Sequence, residues 1–125
     1  MFEITVEAHF SSGHYLRNYH GRCENPHGHN YRACVTLAGE ELEENGLLLD
    51  FKQLKKIIQP IVDSLDHQMI NEIPPFTDLN PSAENLARYF FDEIEDRVVK
   101  TTARRVTVKR CTIYETDRSS ATYGR

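Results

Sequence analysis

Three histidines and a cysteine lie close together near the start of this chain of 125 residues. His27 and His29 are separated by one glycine, and His14 lies nine residues before Cys23. Side chains two apart in a β-strand project from the same face, so His27 and His29 can reach one ion. Three neutral imidazoles match the ligands of a catalytic zinc, whose fourth position stays open. The spacing therefore predicts a reactive zinc site formed by His14, His27 and His29.

Two other histidines compete for this role, and the strand pattern separates them from the predicted ligands. Residues 2 to 12 alternate between apolar and polar side chains, which is typical of a half-buried strand. Continued alternation places His14 on the apolar face and His9 on the polar face, unless Gly13 marks a bulge that resets the count. His20 falls in a loop and is interpreted as a spectator. The paired spacings of zinc fingers do not occur.

Cys23 lies four residues before His27, close enough to face the same ion from a loop. A thiol near Zn²⁺ has a lowered pKa and can act as a base or nucleophile. The alternative is a fourth, structural ligand. Spacing leaves both roles open.

Three further residues are weaker candidates. Asp66 and His67 follow a predicted helix, and an aspartate can orient an imidazole for proton transfer. Adjacent side chains rarely bond directly, so a solvated helix end is the alternative. Glu115 ends a predicted strand. A buried carboxylate there would accept two hydrogen bonds from an amidine-like ligand edge, whereas an exposed glutamate is the default.

The composition is that of a water-soluble protein, with 27% charged and 39% hydrophobic residues. We expect residues 1–125 to form one domain. No apolar run approaches the ~20 residues of a membrane helix, and the N-terminus lacks the features of a secretory signal, so we expect a cytoplasmic protein. The formal charge of −4 gives no reason to expect nucleic acid binding. Arg17 and Arg22 would have to meet any polyanionic ligand.

The three cysteines are an odd number, which indicates free thiols rather than a disulfide framework. Cys34 and Cys111 lie in strand-like runs and are expected in the core.

The order of predicted elements is ββααββ. The second strand begins at His27, and an antiparallel pairing with the first would bring His14 to the histidine pair. A first helix, capped by Asp50, runs from Phe51 to Leu65 with Pro60 as a point of kinking or division. A second helix begins near Pro81 and Ser82, with Pro81 in its first turn and Asn80 or Ser82 as the cap. Its apolar stripe ends at Val98, and the last strands are expected over 104–115 and 119–123.

This order predicts an α+β fold with two helices on one face of a four-stranded antiparallel sheet. Such an open sheet has two unpaired edges, which favours association through them.

These landmarks together resemble the 6-pyruvoyl-tetrahydropterin synthase superfamily, and in particular its bacterial 6-carboxy-5,6,7,8-tetrahydropterin synthase branch of queuosine biosynthesis. The resemblance covers nearly the whole chain and includes Phe10-Ser-Ser-Gly-His14, Cys23-x₃-His27-Gly-His29, Gly46-x₃-Asp50-Phe51, Leu65-Asp66-His67 with Asn71, Pro81-Ser-Ala-Glu84-Asn85 and Glu115. It implies the tunnelling fold, and trimers stacked into hexamers with sites between subunits.

The resemblance also implies a role for each residue: zinc on the three histidines, Cys23 as catalytic base, and Asp66 with His67 as a proton relay. Glu115 would anchor the pterin, and Ser82 and Glu84 would contact the substrate. The implied reaction converts 7,8-dihydroneopterin triphosphate to 6-carboxytetrahydropterin with release of acetaldehyde and triphosphate, without a redox cofactor.

Glu24, directly after the cysteine, departs from the usual motif. Cys-Glu-x₂-His-Gly-His looks like a subgroup that also cleaves dihydroneopterin to 6-hydroxymethyl-dihydropterin for folate, and a glutamate is the base in related folate-type proteins that lack the cysteine. Glu24 is thus a second candidate base, and a solvated loop residue is the alternative. A non-catalytic zinc or pterin-binding module, with Cys23 as a ligand, is a third function, and a 6-pyruvoyl product a further outcome.

Overall fold

The computed structural model describes residues 1–125, except for the side chain of Cys23. The sheet has the order β1-β2-β3-β4, and every neighbouring pair is antiparallel. The α+β prediction is therefore confirmed. The elements are β1 (Phe2–His14), β2 (His27–Gly39), α1 (Phe51–Leu65), α2 (Ala83–Thr101), β3 (Thr107–Thr116) and β4 (Ser119–Gly124).

The long β1–β2 ladder keeps one register from end to end. It pairs Phe2 with Gly39 and His14 with His27, and Gly13 lies opposite Gly28 without a bulge. The alternation of faces consequently continues through His14, as the sequence predicts.

α1 begins after Asp50, whose carboxylate accepts a hydrogen bond from the Lys52 amide at 2.8 Å. Pro60 lies inside this helix and does not divide it. Pro60 and Lys56 are exposed, so the Lys56 carbonyl that would have accepted from residue 60 can be hydrated instead. The apolar residues of α1 recur at helical spacing, which predicts that Phe51 is buried with them, but Phe51 is 52% exposed.

α2 begins at Ala83, two residues later than a first-turn Pro81 requires. Ser82 is the cap, and its hydroxyl accepts from the Asn85 amide at 3.1 Å. Pro81 therefore precedes the cap, which corrects the sequence prediction, and its carbonyl remains available to other partners.

Both helices pack on one face of the sheet, α1 against β1 and α2 against β3 and β4. The largest fully buried side chains at this interface come from both layers, and they include Tyr31, Leu37, Ile113, Leu54, Ile58, Leu86, Phe90 and Ile94. Among the described residues, no helix is both long and apolar enough to cross a membrane.

The two cysteines with described side chains differ in their surroundings. Cys111 is buried in the core as predicted, and burial raises the pKa of its thiol to about 12. Cys34 is only half-buried, on the opposite face of the sheet, with its sulfur 3.4 Å from a Glu7 oxygen and 3.9 Å from an Arg32 nitrogen. The expectation of a core position for Cys34 was wrong, because its neighbours Ala33 and Val35 point into the core and Cys34 points to the other face.

β3 starts at Thr107 instead of residue 104. Ala103 and Arg104 have left-handed backbone conformations, with φ of 50° and 66°, which a continuous strand excludes. The connection from Asp66 to Asn80 is irregular as expected, apart from one 3₁₀ turn at Ile70–Glu72.

Candidate functional site

The three predicted ligand histidines meet at the end of the β1–β2 ladder. His14 is the direct partner of His27, and Ser12 that of His29, so the three rings share one face. The ring centroids lie between 4.6 and 5.0 Å apart, and one ligand nitrogen from each ring falls within 4.8 Å of the others. His14, His27 and His29 could therefore hold one metal ion.

His14 is the most deeply placed of the three, with 1% of its surface exposed. Its Nδ1 lies 2.7 Å from the Pro81 carbonyl oxygen. A carbonyl only accepts, so Nδ1 carries the proton and donates, which leaves the Nε2 lone pair for the cluster. Burial is the largest cause that lowers the pKa of His14 from its ordinary 6.5, and it favours the neutral ring that binds metal.

His27 has the same arrangement. Its Nδ1 donates to the Asn25 carbonyl at 2.8 Å, and its Nε2 lies 3.0 Å from Nε2 of His14. Two neutral rings with protonated Nδ1 atoms would face each other with lone pairs, which repel. A shared cation removes this repulsion, and two nitrogens on one tetrahedral zinc lie about 3.3 Å apart.

His29 completes the donor set. Its Nε2 is buried and has no hydrogen-bond partner among the described residues. Burial again lowers the pKa of this ring, while Glu115 acts in the opposite direction. An orphaned, neutral ring nitrogen beside two others suits a divalent metal that accepts imidazole ligands, such as zinc.

Glu115 lies beside the histidines near the end of β3, two residues after the buried Ile113. The β3–β4 register shifts between Tyr114 and Thr116, so the contact with His29, and not strand alternation, establishes which face Glu115 occupies. Its Oε2 is 3.8 Å from Nε2 of His29, and its side chain is 28% exposed. The carboxylate is thus half-buried and directed into the site, in contrast to the exposed glutamate that is the default.

A cavity of about 290 Å³ opens over this cluster, near the lower end of the range for small-molecule sites. It carries a negative group and a positive group in addition to the imidazoles. Its lining residues are His14, Leu16, Arg22, His27, His29 and Glu115.

The two arginines proposed for an anionic ligand differ. Arg22 lines the cavity and is exposed. Arg17 instead donates to backbone carbonyls of the loop before α2, including that of Phe76 at 2.9 Å and that of Leu79 at 3.3 Å. Arg22 is consequently the cation that a ligand in this cavity would meet.

Tyr31 borders the cluster and was not singled out from the sequence. Its ring is fully buried, stacks on Phe10 at 4.9 Å, and lies edge-on to His29 at 5.4 Å and to His14 at 5.8 Å. Burial, followed by the charge of Glu115, raises the pKa of its hydroxyl. The signal was available, because Tyr31 is the next residue after His29 on the same strand face.

Asp66 and His67 follow α1 and attach to the outer edge of β1. Asp66 Oδ1 accepts from the Ser11 amide at 2.8 Å, and the His67 amide donates to the Ser11 carbonyl at 2.6 Å. His67 has a φ of 56°, and its Nδ1 lies 3.0 Å from Oδ2 of Asp66. Their side chains are therefore in contact, against the expectation for neighbours, but the exposed His67 does not line the histidine cavity.

The Ser11 hydrogen bond is the first cause, and the His67 side chain the second, that lowers the pKa of Asp66. The carboxylate is thus held ionised beside an exposed imidazole. This pair has the composition of a proton relay, presented at the surface.

The remaining predicted residues take varied positions. The backbone of Cys23 belongs to a 3₁₀ turn, Arg22–Glu24, just before β2, and its side chain lies outside the described part of the structure. Glu24, on the same turn, is exposed. The Ser82 hydroxyl caps α2, and Glu84 is exposed in the first turn of that helix.

The competing histidines lie elsewhere. His9 is on the opposite face of the sheet, where it pairs with Arg32. His20 is exposed in the loop. Neither belongs to the cluster of potential metal ligands found among the described residues.

Comparison with known proteins agrees with this arrangement. Residues 3–125 match the family model described as 6-pyruvoyl tetrahydropterin synthase. The chain is 31% identical to the 6-carboxy-5,6,7,8-tetrahydropterin synthase of Bacillus subtilis over 99 aligned residues. The alignment covers 75% of this chain and 66% of that enzyme. It is 34% identical to human 6-pyruvoyl tetrahydrobiopterin synthase over 107 aligned residues, and this alignment covers 82% of this chain and 70% of the human protein.

A solved structure gives the same result. Caenorhabditis elegans 6-pyruvoyl tetrahydropterin synthase superposes with a TM-score of 0.85 at 28% identity, over 100% of this chain and 97% of that one. The sheet with its two helices is therefore the fold of this family. With a family model that covers almost every residue, the chain belongs to the 6-pyruvoyl tetrahydropterin synthase family, whose members process pterins.

Proposed function

We propose that residues 1–125 form one pterin-synthase domain, a zinc-dependent carbon–carbon lyase that converts 7,8-dihydroneopterin triphosphate to 6-carboxy-5,6,7,8-tetrahydropterin in queuosine biosynthesis. Acetaldehyde and triphosphate are the other products. The observation that carries this proposal is the cavity in which Glu115 faces three convergent imidazoles at 3.8 Å from the nearest. The similarity to the B. subtilis enzyme supports the choice of product.

His14, His27 and His29 would hold the zinc. Two observations support this assignment. Nε2 of His29 has no hydrogen-bond partner in the described part of the chain, and the Nε2 lone pairs of His14 and His27 face each other. Bound zinc would make the hydroxyls of the substrate side chain more acidic, so that protons on the adjacent carbons become easier to remove.

Glu115 would anchor the pterin ring. Its carboxylate can accept two parallel hydrogen bonds from the 2-amino group and the neighbouring ring N–H, which fixes the ring in one orientation. Because Glu115 and the histidines line one cavity, a pterin held by this edge would extend into that cavity, with its side chain at the opposite end of the ring system. Ser82 and Glu84 are further proposed substrate contacts.

Cys23 would remove a proton on one side of the substrate side chain, and His67, oriented by Asp66, would transfer one on the other. The 3.0 Å contact within the Asp66–His67 pair and the lowered pKa of the aspartate support the relay. The relay is exposed on a sheet edge, away from the lining of the histidine cavity. We therefore propose that each site combines the histidines of one subunit with the relay of a second copy.

The assembly would be a homotrimer, or a hexamer of two trimers, in the cytoplasm. β1 and β4 are the two edges of the sheet, and each offers backbone groups to another strand. Small pterins would be its ligands, with no role for nucleic acid or membranes.

The deciding experiment incubates the zinc-loaded protein with dihydroneopterin triphosphate and identifies the products by mass. We expect 6-carboxytetrahydropterin and acetaldehyde. A 6-pyruvoyl product would move the chain to the activity for which the human relative is named. An unchanged substrate would reject the lyase and favour a binding module.

A second candidate is the cleavage of dihydroneopterin to 6-hydroxymethyl-dihydropterin for folate, alone or as an additional activity. It is favoured by Glu24, which lies three residues before His27 on the same 3₁₀ turn as Cys23. Assays of unphosphorylated dihydroneopterin with Cys23→Ala and Glu24→Ala separate the two bases. Full activity of Glu24→Ala on this substrate would remove Glu24 from the mechanism.

A further inference from the structure

The ring of His14 is oriented by a backbone carbonyl that comes from a distant part of the chain. Pro81, 67 positions away, lies just before α2, and its oxygen is the acceptor for Nδ1 of His14 at 2.7 Å. This bond decides which nitrogen of His14 faces the cluster. Metal-binding histidines commonly use such an outer partner, and its loss typically weakens metal binding 10- to 100-fold.

The residue before Pro81 is fixed to the loop that follows His14. The side chain of Asn80 accepts from the Arg17 amide at 2.8 Å and donates to the Arg17 carbonyl at 3.0 Å. One amide side chain thus pairs with both backbone groups of one residue, as a neighbouring strand would. Asn85 in turn donates to the Asn80 carbonyl at 2.9 Å.

The residue after Pro81 is fixed as well. Ser82 caps α2 by accepting from the Asn85 amide at 3.1 Å. The Pro81 carbonyl therefore lies between two anchored neighbours, one attached to the β1 side of the site and the other to the start of α2.

We propose that Asn80 is a positioning residue of the metal centre. By pairing with Arg17 it holds the Pro81 carbonyl against Nδ1 of His14, so that Nε2 faces the ion. The inference rests on the metal site of the proposed function. It adds a residue that contacts neither the metal nor the substrate but sets the donor atom of one ligand.

The test compares Asn80→Ala with Thr102→Ala. Thr102 is a matched control because its hydroxyl donates to the Val98 carbonyl at 2.8 Å and accepts from the Val106 amide at 3.3 Å, which anchors the opposite end of α2. Zinc affinity is measured by competition with a chelator, and ligand geometry by the visible absorption bands of the Co²⁺-loaded protein.

We expect Asn80→Ala to weaken zinc binding by about 10-fold and to shift the Co²⁺ bands. Thr102→Ala should lower the melting temperature and leave zinc affinity and the bands unchanged. Wild-type affinity and bands in Asn80→Ala would overturn the inference, as would an equal loss in Thr102→Ala. If the wild-type protein itself binds no zinc, the proposed function fails together with the inference.

A second variant guards against loss of folding. Asn80→Asp keeps the acceptor for the Arg17 amide and removes the donor to the Arg17 carbonyl. In metal-free protein, histidine ring NMR should show a slowly exchanging Nδ1 proton on His14 in the wild type and faster exchange in Asn80→Asp. Identical exchange in both would contradict the positioning role without reference to zinc or activity.

Discussion

Nε2 of His29 on β2 and Oε2 of Glu115 on β3 lie 3.8 Å apart on the same face of the sheet. A proposed metal ligand and a proposed substrate-binding oxygen are thus almost in contact. A bicyclic ligand held at one end by Glu115 would extend from it into the cavity that the histidines also line.

Glu115→Gln should weaken pterin binding and leave the metal in place. An amide has one acceptor oxygen and cannot accept two parallel hydrogen bonds, so we expect KM to rise about 10- to 100-fold. Steady-state kinetics and zinc content check this. Glu93→Gln is the control, because this half-buried carboxylate lies on α2 and pairs with Arg97. Loss of zinc in Glu115→Gln would instead make Glu115 a support of the metal.

Cys23→Ala should abolish turnover without loss of zinc. Removal of a proton-transferring base typically lowers the rate about 10²- to 10⁴-fold, whereas three histidines suffice to hold zinc. Rate and zinc stoichiometry are measured together. Cys34→Ala, a half-buried thiol on the other face, should match the wild type. A protein without zinc would identify Cys23 as a fourth ligand.

Arg22→Ala should discriminate between the two pterin substrates. Arg22 is the cation that lines the cavity, so we expect KM for dihydroneopterin triphosphate to rise about 10-fold and KM for unphosphorylated dihydroneopterin to stay constant. Arg97→Ala, on the exposed face of α2, removes the same charge elsewhere. Equal changes for both substrates would show that Arg22 does not meet the phosphates.

The stability of the metal-free protein should fall as the pH is lowered below the ordinary histidine pKa of 6.5. His14 and His29 both have a lowered pKa in the folded state, so the unfolded chain binds more protons between the folded and unfolded values. Folding is therefore favoured above pH 6.5 and penalised below it. Urea unfolding between about pH 7 and about pH 5.5 measures the slope. His20→Ala should retain this slope, and a flat profile in the wild type would contradict the assignment.

Mixed oligomers should test whether one site is shared by two subunits. Cys23→Ala and His67→Ala are each expected to be inactive alone. When they are unfolded together and reassembled, about a quarter of the sites would combine one intact Cys23 with one intact His67 from the neighbouring copy. Recovered activity near this fraction supports shared sites. No recovery would place both residues of a site on the same chain.

Strand alternation predicted much of the site. It placed His14, but not His9, on the face of His27 and His29, and the register confirms this pairing. The information is local, because side chains in a strand repeat every two residues. The same alternation places Cys34 on the face opposite His27 and His29, so the expectation of a core position followed from its apolar and small neighbours and not from the strand pattern.

Contacts that depend on a single residue with an unusual backbone conformation, or on two residues far apart in the chain, could not be predicted from strand alternation. The left-handed conformation of His67 brings its ring to Asp66, although no periodic pattern marks it. The pairing of Asn80 with Arg17 joins residues 63 positions apart, and asparagine is common in loops for many reasons. The late start of β3 likewise follows from two left-handed residues after α2, Ala103 and Arg104.

The attachment of Asp66 and His67 to Ser11 has a consequence for assembly. With the bond from the Gly13 amide to the Gln68 carbonyl, it occupies the outer backbone groups of β1 at residues 11 and 13. In the same alternation, the outward backbone groups at residues 3, 5, 7 and 9 have no partner among the described residues. A strand that docked on this edge of β1 would therefore have to stop before Ser11, next to the segment that carries Asp66 and His67.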